Sequence, residues 1–185
     1  MTAHLDQLVH DLRAIFASDP TGAAAAERLR SYVATYDDWR EFVLLDQSTY
    51  TRNLIDKSER FELLLLGWSA GQASPVHNHE GQNCWMGVLE GGVEELGYSF
   101  PCPDRGTLEG PLEQTCDKRF LRGEVAFIRD EIGLHLVRPA NAEPAVSLHL
   151  YAKPFGECNC YCDQTGRITR KQLSYYSVRG QRVGS

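Results

Sequence analysis

Apolar residues near the start of the chain recur every three or four positions, which is the spacing of one helix face. Leu5, Leu8 and Leu12 follow this pattern and predict a helix over residues 4–16. The turn-forming residues 18–20 end the pattern. A stripe of this kind usually packs against a core, so we expect this helix to lie on the rest of the protein.

Two further helices are predicted before the pattern changes. The second runs from residue 21 or 22 to about residue 36, and Asp37 or Asp38 would cap a short third helix that carries Trp39. Their apolar positions again have the spacing of a core-facing stripe. We therefore expect the first 45 residues to form a helical cap without chemistry of its own.

From about residue 50 the pattern changes to short segments rich in Val, Ile, Leu, Tyr and Thr, separated by Gly, Pro, Asp and Asn. Many short strands punctuated by turns are typical of a β-sandwich or barrel. We predict a mainly β protein with a single domain over residues 1–185, in which an N-terminal α-helical cap (about 1–45) covers an antiparallel β-barrel with C-terminal strands (about 46–185). The strands are predicted near residues 50–56, 60–68, 83–89, 93–99, 116–121, 124–129, 133–138, 145–152 and 168–175.

The composition is that of an ordinary globular protein, with 42% hydrophobic and 24% charged residues. The net charge is −6 and there is no basic block, so nucleic acids and anionic membranes are poor candidates for partners. No apolar run approaches the roughly 18 residues of a membrane span, and the first residues lack the features of a secretion signal. We expect a cytoplasmic monomer whose six cysteines form no disulfide framework.

The candidate chemistry centres on the segment from Gly71 to Gly91, which contains His77-Asn78-His79. In a strand, side chains two positions apart point to the same face, so His77 and His79 would present two imidazoles side by side. Two convergent imidazoles are half of a metal site, although a bare His-x-His also occurs as a pair of exposed histidines. The glycine and histidine spacing resembles the first motif of the cupin superfamily, except that Cys84 stands where most cupins have a glutamate ligand.

A mononuclear catalytic site commonly uses three protein ligands, so a third ligand must come from elsewhere in the chain. His4 and His10 lie on the predicted first helix, which leaves His135 and His149 among the six histidines. A lone histidine on a strand is usually structural. Because His135 follows a glycine turn and an upstream His-x-His, we favour it as the third ligand.

His149 belongs to a segment with complete alternation, in which Ser147, His149 and Tyr151 share one strand face. If that face is buried, the three side chains need hydrogen-bond partners and can form an oriented chain in which the histidine holds the tyrosine hydroxyl. The alternative is the polar outer face of an edge strand. A serine hydrolase is excluded because the chain lacks a nucleophile elbow.

Four stretches together resemble the cysteine dioxygenase family, and they occur in order between about Trp39 and Cys158. The resemblance implies a cupin fold of the jelly-roll type and an Fe(II)-dependent thiol dioxygenase. It also implies that both atoms of O2 are added to the sulfur of L-cysteine, which gives cysteine sulfinic acid. The four stretches are Tyr50 to Asp56, His77-Asn78-His79 followed by Cys84, Ile132 to His135, and Glu143 to Tyr151.

The same resemblance implies roles for individual residues. One Fe(II) per chain would be held by His77, His79 and His135. Arg52 would bind the substrate carboxylate beside Tyr50, because a planar guanidinium offers a bidentate fork that lysine lacks. The remaining implied residues are the thioether pair Cys84 and Tyr151, the polar residues Ser147 and His149 behind that tyrosine, and Trp68 and Cys158 at the pocket.

Alternative functions share part of this set. A dioxygenase of another small thiol, such as 3-mercaptopropionate, would use the same histidines, but relatives with that substrate tend to carry glutamine at the position of Arg52 and glycine at that of Cys84. A non-catalytic metal-binding cupin would not need Arg52, Cys84 and Tyr151 together. A structural zinc site would call for a fourth protein ligand.

Two further features of the sequence leave alternatives open. Lys153 stands where the better-known animal members of the family have the first proline of a Pro-Pro pair, so a cis peptide at that point is left open. Cys158, Cys160 and Cys162 alternate with single residues and suggest either a metal or redox cluster or three free thiols. Structural zinc sites usually use Cys-x2–4-Cys spacing, so we favour free thiols.

Overall fold

The computed structural model describes residues 2–100 and 110–184. It begins with two packed helices, Ala3–Ser18 (α1) and Ala25–Thr35 (α2), followed by the 3₁₀ helix Asp38–Phe42. The predicted stripe of α1 is confirmed, because its leucines are fully buried against α2 and the sheet behind it.

Helix α2 begins later than predicted, because the residues before it form a turn. The Asp19 carboxylate accepts hydrogen bonds from the backbone N–H groups of Thr21 at 2.9 Å and Ala23 at 3.0 Å. Gly22 adopts a φ of +68°, a left-handed conformation that favours glycine and does not belong to an α-helix. The chain therefore turns before it can start the second helix.

The expected side-chain cap on the third helix is wrong, since neither Asp37 nor Asp38 supplies one. The Asp38 carboxylate instead accepts the backbone N–H groups of His4 at 3.0 Å and Leu5 at 2.9 Å, and the hydroxyl of Tyr32 at 2.8 Å. Backbone N–H groups in the first turn of a helix have no partner within the helix itself. Asp38 therefore caps the first helix through a long-range contact.

Thirteen strands make up two sheets in the described part of the chain. The seven-stranded sheet has the order β13-β12-β1-β2-β9-β4-β7, and the six-stranded sheet has the order β11-β10-β3-β8-β5-β6. The strands are Thr51–Lys57 (β1), Phe61–Trp68 (β2), Val76–His77 (β3), Cys84–Glu90 (β4), Gly92–Tyr98 (β5), Gln114–Leu121 (β6), Val125–Ile128 (β7), Leu134–Pro139 (β8), Ala145–Ala152 (β9), Glu157–Tyr161 (β10), Ile168–Gln172 (β11), Ser177–Val178 (β12) and Gln181–Arg182 (β13).

The prediction of a mainly β fold with an N-terminal helical cap is confirmed, and each predicted strand has a counterpart. The short strands β3, β10, β12 and β13 were not predicted. The strands form two facing sheets of the jelly-roll type rather than one continuous ring. The described pairings are antiparallel except that β12 pairs in parallel with β1.

The helical cap covers the outer face of the seven-stranded sheet, so its central strands β2 and β9 are buried along their whole length. Leu63 and Leu65 pack with α1 and α2, whereas Leu64 and Leu66 belong to the cluster between the sheets. Inward-facing positions of β2 and β9 are therefore shielded from solvent. Within residues 2–100 and 110–184, no helix combines the length and the apolar character that a membrane crossing requires.

Candidate active site

Three histidines converge between the two sheets, at the inner face of the six-stranded sheet. His77 on β3 is paired in register with His135 on β8, and His79 follows two residues after His77. The nitrogen atoms that these three side chains offer lie within 4.8 Å of one another. The structure thus brings together the three residues that were predicted as metal ligands.

Two of the imidazoles are oriented by hydrogen bonds through Nδ1. The Nδ1 atom of His77 lies 2.9 Å from the carbonyl oxygen of Pro75, and that of His135 lies 2.7 Å from the carboxylate of Glu95 on β5. Since both partners are acceptors, each Nδ1 carries the proton and each Nε2 keeps a free lone pair. A carboxylate or carbonyl behind a ligand histidine is the usual arrangement around a bound metal ion.

His79 gives the sharpest indication of an absent partner. Its side chain is completely buried, and neither ring nitrogen has a hydrogen-bond partner among the described residues. A buried polar group without a partner costs free energy, so such groups call for an explanation. A metal ion held jointly with His77 and His135 would satisfy His79, and the donor set therefore fits a metal.

The protonation states agree with ligation. Burial, together with the neighbouring His135, lowers the pKa of His77 to about 3. Burial and the same neighbour hold the pKa of His79 well below its ordinary value. Both imidazoles are therefore neutral near pH 7, the form in which histidine binds a metal.

The loop that carries His79 is fixed from the opposite side by Asp130. The Asp130 carboxylate accepts the backbone N–H groups of His79 and Gly81, both at 2.7 Å. Glu80, which lies between these two residues, and Gly81 have positive φ values of 53° and 73°. Asp130 therefore holds a tight left-handed turn that aims the His79 ring inward.

The polar row on β9 lies inside the protein, so the alternative of an exposed edge strand is wrong. Ser147, His149 and Tyr151 are each at most 3% exposed. Trp68 donates from Nε1 to the Ser147 hydroxyl at 2.9 Å. Ser147 lies 2.9 Å from Nε2 of His149, whose Nδ1 lies 3.3 Å from the Tyr151 hydroxyl. Burial holds the pKa of His149 well below its ordinary value, so this chain runs through a neutral imidazole.

Cys84 and Tyr151 lie on adjacent strands and are directly opposite each other in the β4–β9 register. Both side chains are buried, and the thiol is within hydrogen-bond range of the tyrosine. Burial raises the pKa of the Cys84 thiol and holds that of the Tyr151 hydroxyl well above its ordinary value. The two groups are therefore protonated neighbours.

A pocket opens beside the histidines and brings together the other predicted residues. Tyr50, Arg52, Trp68 and Cys158 line it together with His77, His149 and Tyr151. The Tyr50 ring stacks on Trp68 with 4.8 Å between centroids. Arg52 is 9% exposed, and its Nε has no partner among the described residues. Although burial opposes the charge of Arg52, nearby Tyr151 and Glu62 raise its pKa above the ordinary value, so a cation faces the pocket.

The three alternating cysteines do not form a metal site. Cys158 and Cys160 are buried on β10, whereas Cys162 is exposed beyond its end. Within the described residues, the three histidines are the one group of at least three His, Cys, Asp or Glu side chains that converges as a metal site would require.

Lys153, which stands where family members have a proline, has a φ of +71°, and proline cannot adopt this value. Residues 2–100 and 110–184 contain no cis peptide.

Sequence reasoning missed the acidic residues around the site, Glu62, Glu95 and Asp130. Glu62 and Glu95 are 0% and 5% exposed, and each contacts a predicted site residue. One signal was available for Glu95. Glu94 and Glu95 are adjacent on a strand, so their side chains must point to opposite faces and one of them must point inward.

A jelly-roll fold with three converging histidines beside a pocket defines a cupin with a candidate metal site, and structural comparison supports the fold. A protein from Thermus thermophilus aligns with a TM-score of 0.50 and 24% identity, over 65% of this chain and 97% of that one. A protein from Klebsiella pneumoniae with a double-stranded β-helix domain aligns with a TM-score of 0.51 and 12% identity, over 76% of this chain and 96% of that one. Likeness at this level shows the fold alone.

Sequence comparison identifies the family within this class. The profile of the family described as cysteine dioxygenase type I matches residues 2–164. Proteins named cysteine dioxygenase type 1 from Danio rerio and Homo sapiens are 34% and 31% identical over 182 residues, which are 97% of this chain and 89% of each relative. The chain belongs to the cysteine dioxygenase type I family.

Proposed function

We propose that this protein is an iron-dependent cysteine dioxygenase that adds both atoms of O2 to the sulfur of L-cysteine and forms cysteine sulfinic acid. His77, His79 and His135 would hold one Fe(II) per chain. The observation that carries the proposal is the shared pocket, in which the neutral imidazole of His77 and the cationic Arg52 face the same space. A small thiol with a carboxylate matches both groups.

When bound, Fe(II) would supply the Lewis acidity that deprotonates the substrate thiol and the redox chemistry that lets the sulfur react with O2. The protein's own residues select and orient the substrate. Arg52 would bind its carboxylate through charge-assisted hydrogen bonds, which are strong in a buried site. Tyr50 is held against Trp68 and would form the wall beside that carboxylate.

The polar row would direct the Tyr151 hydroxyl. Because the Trp68 indole can only donate, the Ser147 oxygen accepts from it and can donate its own proton to Nε2 of His149. The neutral His149 then carries its proton on Nδ1 and donates it to the Tyr151 oxygen. The hydroxyl proton of Tyr151 is left free to donate into the pocket, where it would orient the bound substrate.

We further propose a thioether bond between Cys84 and the ring of Tyr151. The thiol and one ring carbon would each lose a hydrogen atom, and O2 would accept the two electrons and two protons. The direct cross-strand pairing and the contact between the two side chains support this step. Such a bond would lock the tyrosine ring before the substrate arrives.

Oxygen uptake tests the main proposal. Anaerobically Fe(II)-loaded protein is mixed with oxygenated buffer and either L-cysteine or 3-mercaptopropionate in parallel. We expect uptake with L-cysteine, with one O2 consumed for each sulfinate formed. Preference for 3-mercaptopropionate would overturn the role given to Arg52, and no uptake with either thiol despite bound iron would favour a non-catalytic metal-binding cupin.

Intact-mass measurement tests the thioether. After turnover under O2, we expect part of the protein to be lighter by two hydrogen atoms, and peptide mapping to join the segments that contain Cys84 and Tyr151. The Cys84→Ser variant is the control and should keep its full mass. An unchanged mass of the wild-type protein after many turnovers would contradict the crosslink.

A further inference from the structure

A buried carboxylate lies next to the guanidinium that would bind substrate. Glu62 on β2 is 0% exposed. In strand register it stands between Lys57 on β1 and Tyr151 on β9, and Tyr151 in turn pairs with Cys84. Burying a carboxylate at such a position costs free energy unless charged or hydrogen-bonded partners surround it. The partners of Glu62 therefore indicate its role.

Each carboxylate oxygen of Glu62 has its own contact. Oε2 lies 3.3 Å from Nη2 of Arg52. Oε1 accepts a hydrogen bond from the Tyr175 hydroxyl and lies 3.7 Å from Nζ of Lys57. Lys57 in turn donates to the Tyr175 hydroxyl at 2.9 Å. Glu62 thus connects Arg52 to a second pair of groups, Lys57 and Tyr175, on the same face of the sheet.

The donors of Arg52 are used unequally. Glu62 contacts Nη2, whereas Nε is buried without a partner among the described residues. The guanidinium is therefore tethered through one nitrogen and left with a free donor. Because the guanidinium is planar, fixing Nη2 also fixes the direction in which Nε points.

Tyr175 belongs to the segment between β11 and β12, and the backbone ties this segment to the same place. The N–H of Tyr176 donates to the carbonyl oxygen of Arg52 at 2.8 Å. The C-terminal part of the described chain therefore contacts Arg52 through its backbone and Glu62 through the Tyr175 hydroxyl.

We propose that Glu62 is a positioning residue that orients Arg52 toward the substrate carboxylate, and that Tyr175 and Lys57 hold Glu62 in place for this role. The inference rests on the proposed function, since it takes Arg52 as the group that binds the carboxylate. It predicts an effect that is selective for ligands with a carboxylate. A merely structural role of Glu62 would weaken all ligands together or lower stability alone.

Two ligands that differ only in the carboxylate provide the test. L-Cysteine carries it, and 2-aminoethanethiol is the same molecule without it. For Fe(II)-loaded wild type and variants, the KM and kcat of L-cysteine are measured by oxygen uptake, and 2-aminoethanethiol is measured as a competitive inhibitor.

Glu62→Gln keeps the shape of the side chain but removes its charge. We expect it to raise the KM of L-cysteine about 10-fold, which is the typical effect of losing a hydrogen bond to a charged group. The inhibition constant of 2-aminoethanethiol should stay within about twofold of wild type, since no carboxylate is involved.

Tyr175→Phe provides a second variant in case the buried substitution impairs folding, because Tyr175 is only half-buried. It removes the hydrogen bond to Glu62 and should raise the KM of L-cysteine about 3-fold, as for a single hydrogen bond, without changing 2-aminoethanethiol inhibition. Tyr176→Phe is the matched control, since it removes only a side-chain contact with Asp46, and should leave both constants unchanged.

The positioning role would be overturned if a variant changed the KM of L-cysteine and the inhibition constant of 2-aminoethanethiol by the same factor. It would also be overturned if the KM of L-cysteine stayed at the wild-type value in both Glu62→Gln and Tyr175→Phe. Failure of the proposed function looks different, because the wild-type protein itself would then take up no oxygen with L-cysteine. Thermal melting of each variant, measured in parallel, separates a loss of folded protein from a change in ligand binding.

Discussion

The two sheets supply different kinds of side chain to one pocket. The six-stranded sheet contributes His77 and His135, with Glu95 behind the second of them. The seven-stranded sheet contributes Arg52 and the polar row that ends at Tyr151. One sheet thus provides imidazole nitrogen atoms suited to a metal ion, and the other provides a charge and a hydroxyl suited to a substrate.

The difference teaches that the proposed metal ligands and the proposed substrate-binding residues belong to separate hydrogen-bond networks. The contacts of the three histidines lead to Pro75, Glu95 and Asp130, whereas those of Arg52 lead to Glu62. No side-chain hydrogen bond recorded among the described residues joins the two sets. Substitutions on one sheet should therefore affect one function and spare the other.

Replacement of His79 should have the largest effect. His79→Ala removes a fully buried ligand for which no other described side chain can substitute, so we expect loss of iron binding and of oxygen uptake. Iron per chain after anaerobic loading and oxygen uptake with L-cysteine are the measurements. His10→Ala, on the exposed face of α1, is the control and should keep both. A His79→Ala protein with full iron content would remove this residue from the site.

Arg52→Lys probes the other sheet. Lysine keeps the charge but not the planar fork, so we expect the KM of L-cysteine to rise about 100-fold, or about 3 kcal/mol, while iron content stays at the wild-type level. The pair of measurements checks the separation directly. If this variant also lost its iron, the two sheets would not act independently.

Glu95→Gln should give a smaller effect, confined to metal affinity. Glutamine cannot offer a charged acceptor for the hydrogen bond from Nδ1 of His135. Loss of such a partner typically weakens metal binding about 10- to 100-fold. Iron affinity is measured by competition with a chelator. Glu94→Gln is the matched control, because that neighbouring side chain points outward and pairs with Arg138. A changed KM for L-cysteine in the iron-saturated Glu95→Gln protein would contradict the separation of the two networks.

The elements that could be predicted from the sequence are those with a clear local pattern. β2 is recognisable by its continuous apolar run from Leu63 to Leu66, and β9 by the alternation of polar and apolar residues from Val146 to Tyr151. β3 and β12 have only two residues each, too few for any period, although β3 carries His77, a proposed metal ligand. Their existence depends on pairing with distant segments, such as His77 with His135, which local sequence does not encode.

The site was predictable where residue type and spacing are unusual, as in His77-Asn78-His79 and in the row from Ser147 to Tyr151. The acidic residues behind it were missed because a glutamate in a strand ordinarily faces solvent. Glu62 heads an apolar run, but it is buried on the inner face of the sheet, in register with Tyr151 and in contact with Arg52 and Tyr175. Burial of this kind is a property of the assembled layers.

The smallest effect expected here concerns pH and the polar row of the seven-stranded sheet. Burial holds the pKa of His149 well below its ordinary value. As pH falls below about 6.5, the unfolded chain therefore takes up a proton at this position and the folded protein does not. The stability contributed by neutral His149 is complete above that pH and is lost as pH falls, at about 1.4 kcal/mol of unfolding free energy per pH unit.

Urea unfolding of metal-free protein between pH 7 and pH 5 tests this expectation. The free energy of unfolding should fall less steeply with pH for His149→Gln than for wild type, because glutamine does not titrate. Identical slopes for His149→Gln and wild type would mean that His149 does not remain neutral in the folded protein, and the hydrogen-bond direction assigned from Ser147 to Tyr151 would have to be reversed or abandoned.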